Sequence, residues 1–198
     1  PMVGGSATSH KFNLKDPRDT DAAYRLVFSG GWTHSSTGAL PNGSNAYADT
    51  KLRAFNDLST SSCHVSSYIR TTPNSNVLVS HGSLDFLLQI ASGVLYGSLA
   101  TASYSTTTQA NVAGFYMVNR PSGTNQKLIR NSSILLNDSK SSSSFVNLQN
   151  VVLASYSGVQ FSNAEIAIAS IGDGLTDVEA SALYTSIQAF QTTLGRQI

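Results

Sequence analysis

Three short stretches of this 198-residue chain bring aromatic, amide, carboxylate and guanidinium groups close together in sequence. They are Trp32-Thr33-His34, the block Asn45-Ala46-Tyr47-Ala48-Asp49, and the alternate positions His64, Ser66, Tyr68 and Arg70. A flat aromatic ring stacks on the C–H face of a sugar, while planar amides, carboxylates and guanidinium groups bond to its hydroxyls. The chemistry on offer is carbohydrate recognition, and the candidate ligand-binding residues are Trp32, His34, Asn45, Tyr47, Asp49, His64, Tyr68 and Arg70. The competing reading puts Trp32 and Tyr47 in the core and leaves the rest on a solvated sheet face.

Cleavage of a sugar is harder to argue. Glycoside hydrolysis needs two carboxylates flanking the scissile bond, one protonated and one ionised. The chain has two glutamates: Glu165 opens a strand, and Glu179 closes a Thr176-x-x-Glu179 capping box. Of the aspartates, only Asp16, Asp19 and Asp21 cluster, in an expected surface loop. No catalytic residue is assigned and a noncatalytic protein is expected; a depolymerase assembling aspartates from several strands or subunits stays as an alternative. His10, His34, His64 and His81 are isolated from metal-ligand spacings, so no metal site or other cofactor is expected and calcium has no support in the sequence. There is no Gly-x-Ser-x-Gly elbow. Gly172-Asp173-Gly174 has Asp177 where a dinucleotide-binding turn has its third glycine, and reads as a turn feeding a helix. The one cysteine, Cys63, excludes an internal disulfide and reads as a buried strand thiol.

Composition sets the elements that must position these residues. Charged side chains make up 12% of the chain, against about 25% in an ordinary soluble domain. Ser, Thr and Asn instead fill 63 of the 198 positions. Their side chains compete with helical hydrogen bonds, and Thr and aromatics suit pleated surfaces, so the composition points to an all-β protein. The net charge of +1 comes from scattered residues, which argues against nucleic-acid binding. The most apolar stretch, 84–99, is interrupted by Asp85, Gln89, Ser92, Gly93 and Gly97, so no membrane span is expected. The first residues lack the basic and apolar regions of a signal peptide, and a start at Pro1 suggests a processed chain or part of a longer one. The length fits one domain over 1–198.

Period-two alternation predicts about a dozen strands, near 12–15, 24–28, 46–52, 63–70, 77–80, 84–90, 94–99, 113–119, 127–131, 134–136, 151–155 and 165–171. Segment 120–123, Arg-Pro-Ser-Gly, reads as a loop, and 101–108 and 139–144 as exposed loops or edge strands. Many short strands without intervening helices predict an antiparallel two-sheet sandwich. The exception is a helix from about 177 to 194: after the capping box, Leu183, Ile187, Phe190 and Leu194 form one apolar stripe, and Gly195 and Arg196 mark the stop.

The last segment, Ala167-Ile168-Ala169-Ser170-Ile171-Gly172-Asp173-Gly174 with Leu175-Thr176-Asp177-Val178-Glu179-Ala180 and Leu183-Tyr184, resembles the final strand and helix of laminin-G-like, concanavalin A-like jelly-roll domains. The tail from Phe190 to Gln197 and the opening blocks Ala7 to Leu14, Gly31 to Ser35 and Tyr47 to Thr50 are similar to a subfamily found in bacteriophage genomes and gut metagenomes. This resemblance implies a jelly roll in a phage fibre, tail or other virion surface protein, extracellular when mature, with a bacterial surface glycan or other virion proteins as partners. It also implies a homo-oligomer, with a trimer as one form that would cover edge strands. The reading that follows is a noncatalytic module for attachment to a host glycan; the alternatives are a structural decoration or assembly domain and a glycan depolymerase.

Overall fold

Alternation with few charges builds strands, and the computed structural model, which describes residues 1–72, 75–110, 112–147 and 149–198, pairs them into two sheets. After a one-turn helix α1 (Ala7–His10) and a 3₁₀ turn (Asp21–Ala23) come β1 (Val27–Ser29), β2 (Trp32–Ser35), β3 (Gly38–Pro41) and β4 (Tyr47–Asp49). A second single turn, α2 (Ala54–Asp57), precedes β5 (Cys63–Ile69), β6 (Ser75–Ser80), β7 (Phe86–Ala91), β8 (Val94–Leu99) and β9 (Ser105–Thr108). Then follow β10 (Gly114–Ser122), β11 (Asn125–Arg130), β12 (Ser133–Asp138), β13 (Val152–Leu153), β14 (Ser155–Tyr156), β15 (Gln160–Phe161), β16 (Ile166–Gly172) and α3 (Asp177–Thr193).

The first sheet has the order β1-β4-β13-β6-β7-β8-β9, the second β12-β11-β10-β5-β16-β3-β2, and β14 and β15 form a separate hairpin. Every pairing is antiparallel. The fold is therefore the expected all-β antiparallel two-sheet jelly-roll sandwich with one C-terminal helix.

Between the sheets, Leu78, Phe86, Leu88, Ile90, Leu95 and Leu99 of the first meet Val65, Ile69, Tyr116, Val118 and Leu128 of the second, all with no exposed surface. Close packing leaves little room beside β8: a Cβ on Gly97 would stand 2.4 Å from Leu128 Cδ2 and 2.5 Å from Val118 Cγ2.

The helix accounts for the chief departure from expectation. Its capping box forms as the spacing predicts, with Thr176 Oγ1 accepting from Glu179 N–H at 3.3 Å and Glu179 Oε2 accepting from Thr176 N–H at 2.8 Å. Its stripe of Ala180, Leu183, Tyr184, Ile187 and Phe190 then lies on Tyr68, Phe115, Met117, Ile129, Ala167 and Ile168, making a second core on the outer face of the second sheet. The face expected to be polar and solvated is thus covered: β5 is buried along its whole length, His64, Ser66 and Tyr68 included.

Other corrections are local. Residues 12–15 form no strand. Arg120, Pro121 and Ser122 continue β10 through a bulge instead of starting a loop, because the Arg120 guanidinium turns into the sandwich. There Arg120 Nε donates to the Leu99 carbonyl at 2.7 Å and Nη1 to that of Lys140 at 2.8 Å. The hairpin β2–β3 was not anticipated, since its short strands lack an apolar alternation.

Candidate functional site

The site grows from β4. Ala48 points inward and is wholly buried, so the two-residue period turns Tyr47 and Asp49 outward. Strand pairing sets Tyr47 opposite Ser29 and Asp49 between Val27 of β1 and Val152 of β13. Tyr47 is 38% exposed.

The Asp49 carboxylate is held on several sides. Its Oδ1 accepts from Lys51 N–H at 2.7 Å, Lys51 Nζ lies 3.2 Å from Oδ2, and Asn150 Nδ2 donates to both oxygens at 3.0 and 3.1 Å. Asn150 Oδ1 in turn accepts from Arg53 Nε at 3.4 Å. The result is a row of carboxylate, carboxamide and guanidinium beside an exposed phenol ring. Tyr47, Asp49, Arg53, Gln149, Asn150, Val152, Ser155, Ser157 and Gly158 line an open groove of about 460 Å³. Planar donors and acceptors next to an aromatic ring can take hydroxyls and an apolar sugar face together.

Trp32, His34 and Asn45 support this region. The half-buried Trp32 donates through Nε1 to the carbonyls of Ser29 (3.0 Å) and Tyr47 (3.2 Å), fixing the ends of β1 and β4. Its indole stacks near His34 with ring centres 6.2 Å apart, and Phe28 sets its edge against both. His34 Nδ1 lies 2.9 Å from His10 Nδ1, while His10 Nε2 accepts from Gly5 N–H. That acceptor role gives neutral His10 its proton on Nδ1, so it donates to His34. Burial pushes His10 down to about 4, with the charges of His34 and Arg196 acting the same way; burial also lowers His34. Asn45 Oδ1 accepts from Gly31 N–H and Asn42 Nδ2, bracing the loop. Gly30 has φ +76°, and a Cβ there would sit 2.2 Å from the Asn45 carbonyl oxygen.

The remaining three candidates do not join this group. His64 lies under the C-terminal segment, with Nδ1 2.6 Å from the Asp173 carbonyl and Nε2 3.1 Å from Ser170 Oγ, which meets Ser66 Oγ at 2.6 Å. A carbonyl only accepts, so Nδ1 carries the proton and Nε2 accepts from Ser170. Burial lowers the His64 pKa, against the opposing pull of the Asp173 carbonyl. Tyr68 is 1% exposed, and its hydroxyl accepts from Ile198 N–H. Arg70 donates to the Arg196 carbonyl at 2.8 Å and pairs with Glu165 at 3.3 Å.

Arg53, Gln149, Asn150 and Ser157 were missed in the sequence. Arg53 and Asn150 are 97 residues apart, and no local pattern marks either.

The carboxylates considered for catalysis are otherwise engaged. Glu165 also accepts from Thr37 Oγ1 at 2.6 Å, Glu179 caps α3, and Asp16, Asp19 and Asp21 pair with Arg18, Lys11 and Arg25. Among the described residues no group of three or more His, Cys, Asp and Glu side chains is arranged to hold a metal ion. No helix among them is long and apolar enough to cross a membrane.

The two-sheet architecture defines the class, an antiparallel jelly-roll β-sandwich with one C-terminal helix. No family model and no curated protein matches the sequence. Solved structures do match in shape. The botulinum neurotoxin serotype D binding domain superposes with a TM-score of 0.59 at 12% identity, over 89% of this chain and 50% of that one. The serotype D ligand-binding domain in complex with N-acetylneuraminic acid gives 0.60 at 13%, over 89% and 49%. A structure of botulinum neurotoxin type C, whose cell entry is described as dependent upon interaction with two ganglioside molecules, gives 0.55 at 13%, over 84% and 48%. The chain covers about half of each of these structures, and at such identities the likeness is one of fold.

Proposed function

We propose that this chain is a noncatalytic glycan-recognition module of a bacteriophage fibre or tail, exposed on the virion and attaching to a surface glycan of the bacterial host. The observation that carries the reading is the row Asp49–Asn150–Arg53 beside exposed Tyr47 in an open groove. Its groups match the needs of a sugar: an aromatic face, hydroxyl acceptors, hydroxyl donors, and a guanidinium that can meet an acidic substituent. The fold's likeness to binding domains, one of them holding a sialic acid, supports a binding role over a catalytic one. The phage setting and a homo-oligomeric, trimeric form rest on the sequence resemblance.

A glycan array and whole-cell binding, both run on the native oligomer, test the reading. Binding in either, weakened by Tyr47→Ala and Arg53→Ala, is the expected result. A blank in both overturns it. Release of reducing ends from host polysaccharide, abolished by a single Asp→Asn change, would replace it with the depolymerase reading. A strict monomer at micromolar concentration in light scattering would remove the trimer.

A further inference from the structure

The outer face of the first sheet carries apolar side chains that the inter-sheet core does not use. In β7 and β8, Phe86, Leu88, Ile90, Leu95 and Leu99 point inward, so the alternation turns Leu87, Gln89 and Tyr96 outward. Leu87 is nevertheless wholly buried and belongs to neither core. The β14–β15 hairpin, which joins neither sheet, lies against β6 and is reached from β7 by Gln89.

The polar groups there form one connected set. Gln89 lies opposite Tyr96 in the sheet, and Tyr96 meets Tyr104 edge-on with ring centres 5.7 Å apart. Tyr104 lies close to Tyr156, and burial together with that neighbour raises the Tyr104 pKa. Gln89 Nε2 donates to Gln160 Oε1 at 3.1 Å, and Gln160 pairs with Tyr156 across the hairpin. That amide bond uses one group on each side and leaves each carboxamide further donors and acceptors. Gln89 and the three tyrosines are half-buried and Gln160 is exposed. None of the five carries a charge. The cation bonded nearest, Lys140, is spent on the backbone carbonyls of Ser103 and Tyr104 and on Asp138.

We propose that this tyrosine–glutamine surface is a second glycan-contact site, taking an uncharged hexopyranose stretch of a polysaccharide. Tyr96, Tyr104 and Tyr156 supply ring faces and edges for sugar C–H groups, and Gln89 and Gln160 bond hydroxyls. The absence of charge on these five side chains selects a neutral ligand, since an ionic one would lose hydration with no counter-charge to replace it. The site flanks the groove across the hairpin, whose Ser155 and Ser157 line the groove while Tyr156 belongs to the outer set. Two contact places on one hairpin suit a polymer and not a single sugar. The inference shares the glycan class of ligand with the groove reading and stands on different residues.

Affinity electrophoresis of the full chain in gels cast with dextran, glycogen, laminarin or hydroxyethyl cellulose tests it. Retardation in at least one gel is expected. Gln89→Ala and Tyr156→Ala should each weaken it about fivefold, equivalent to about 1 kcal/mol, with Gln89→Ala leaving the apolar floor covered if Tyr156→Ala disturbs folding. Retardation unchanged in both variants but removed by Tyr47→Ala overturns this site and leaves the groove standing. No retardation in any gel, or retardation lost only because light scattering shows a tyrosine-dependent dimer, overturns it too. Array binding of acidic glycans in that case still supports the groove.

Discussion

Arg196 Nη1 donates to the main-chain carbonyl of Met2 at 2.6 Å, tying the segment after α3 to the start of the chain. The same buried guanidinium bonds Gln191 Oε1 at 2.6 Å and the Ser36 carbonyl at 3.1 Å, and lies over the Phe190 ring. One side chain therefore joins the helix, the N-terminal segment and the β2–β3 turn.

Arg196→Leu should destabilise the protein by about 2–4 kcal/mol, since it leaves the Met2 and Ser36 carbonyls without their donor. Urea unfolding followed by circular dichroism reads the effect, and a loss under about 1 kcal/mol would show the three contacts to be unimportant.

Removing the helix cap is a smaller change with its own signature. Thr176→Ala deletes the acceptor for Glu179 N–H and should cost about 1 kcal/mol, while Thr176→Ser should restore most of it. Equal melting temperatures for all three proteins would count against the cap.

Acid should weaken the fold before the carboxylates titrate. His10 sits near 4 in the folded chain, against an ordinary histidine value of about 6.5, and burial lowers His34 and His64 as well. Between those values the unfolded chain binds protons that the folded chain refuses, so stability is full above pH ~6.5 and falls as pH drops toward ~4. His10 alone contributes about 2–3 kcal/mol. A later loss comes from Asp85: burial works against its ionisation, but the Val146 N–H bond at 2.6 Å, His81 at 3.4 Å and nearby Ser83 outweigh it and hold the carboxyl at about 2. Melting temperatures at pH 8, 6.5, 5 and 4 should stay nearly level over the first step and decline over the last two, and a flat profile from pH 6.5 to 4 would contradict the histidine account.

Cys63 should be inert while the chain is folded. The thiol is fully buried, and desolvation pushes it up to about 12, so almost no thiolate exists near neutrality. Ellman's reagent at pH 8 should find no thiol in the native protein and one after guanidinium is added. Fast reaction without denaturant is the outcome that would rule this out.

At the groove, Asn150→Ala should weaken binding of an array-identified glycan about tenfold, because it removes the link between Asp49 and Arg53. Isothermal titration measures it, with the melting temperature as control. Unchanged affinity would show that the row does not touch ligand.

Much of the scaffold was legible in the residues. The strand expected at 94–99 is found at those bounds, because its run is bracketed by Gly93 and the polar segment after Leu99, and Thr176-Asp177-Val178-Glu179 marks the helix start because a capping box is a local hydrogen-bond pattern. Tyr47 and Asp49 share a face for an equally local reason, the two-residue period of a strand. What alternation does not carry is what lies over each face. His64, Ser66 and Tyr68 read as a solvated row, yet α3 folds back over Tyr68 while Ser170 and Asp173 engage Ser66 and His64, and only the tertiary arrangement buries a face that strand chemistry leaves open. Arg120 reads as a loop residue for the same reason: its carbonyl partners, Leu99 and Lys140, lie on distant segments. The groove is the clearest case. Residue type determined that Tyr47 and Asp49 could contact a ligand, while the pairing of β4 with β13 decided that Asn150 stands beside them, because strand partners are chosen by packing across the whole sandwich and leave no mark in local spacing.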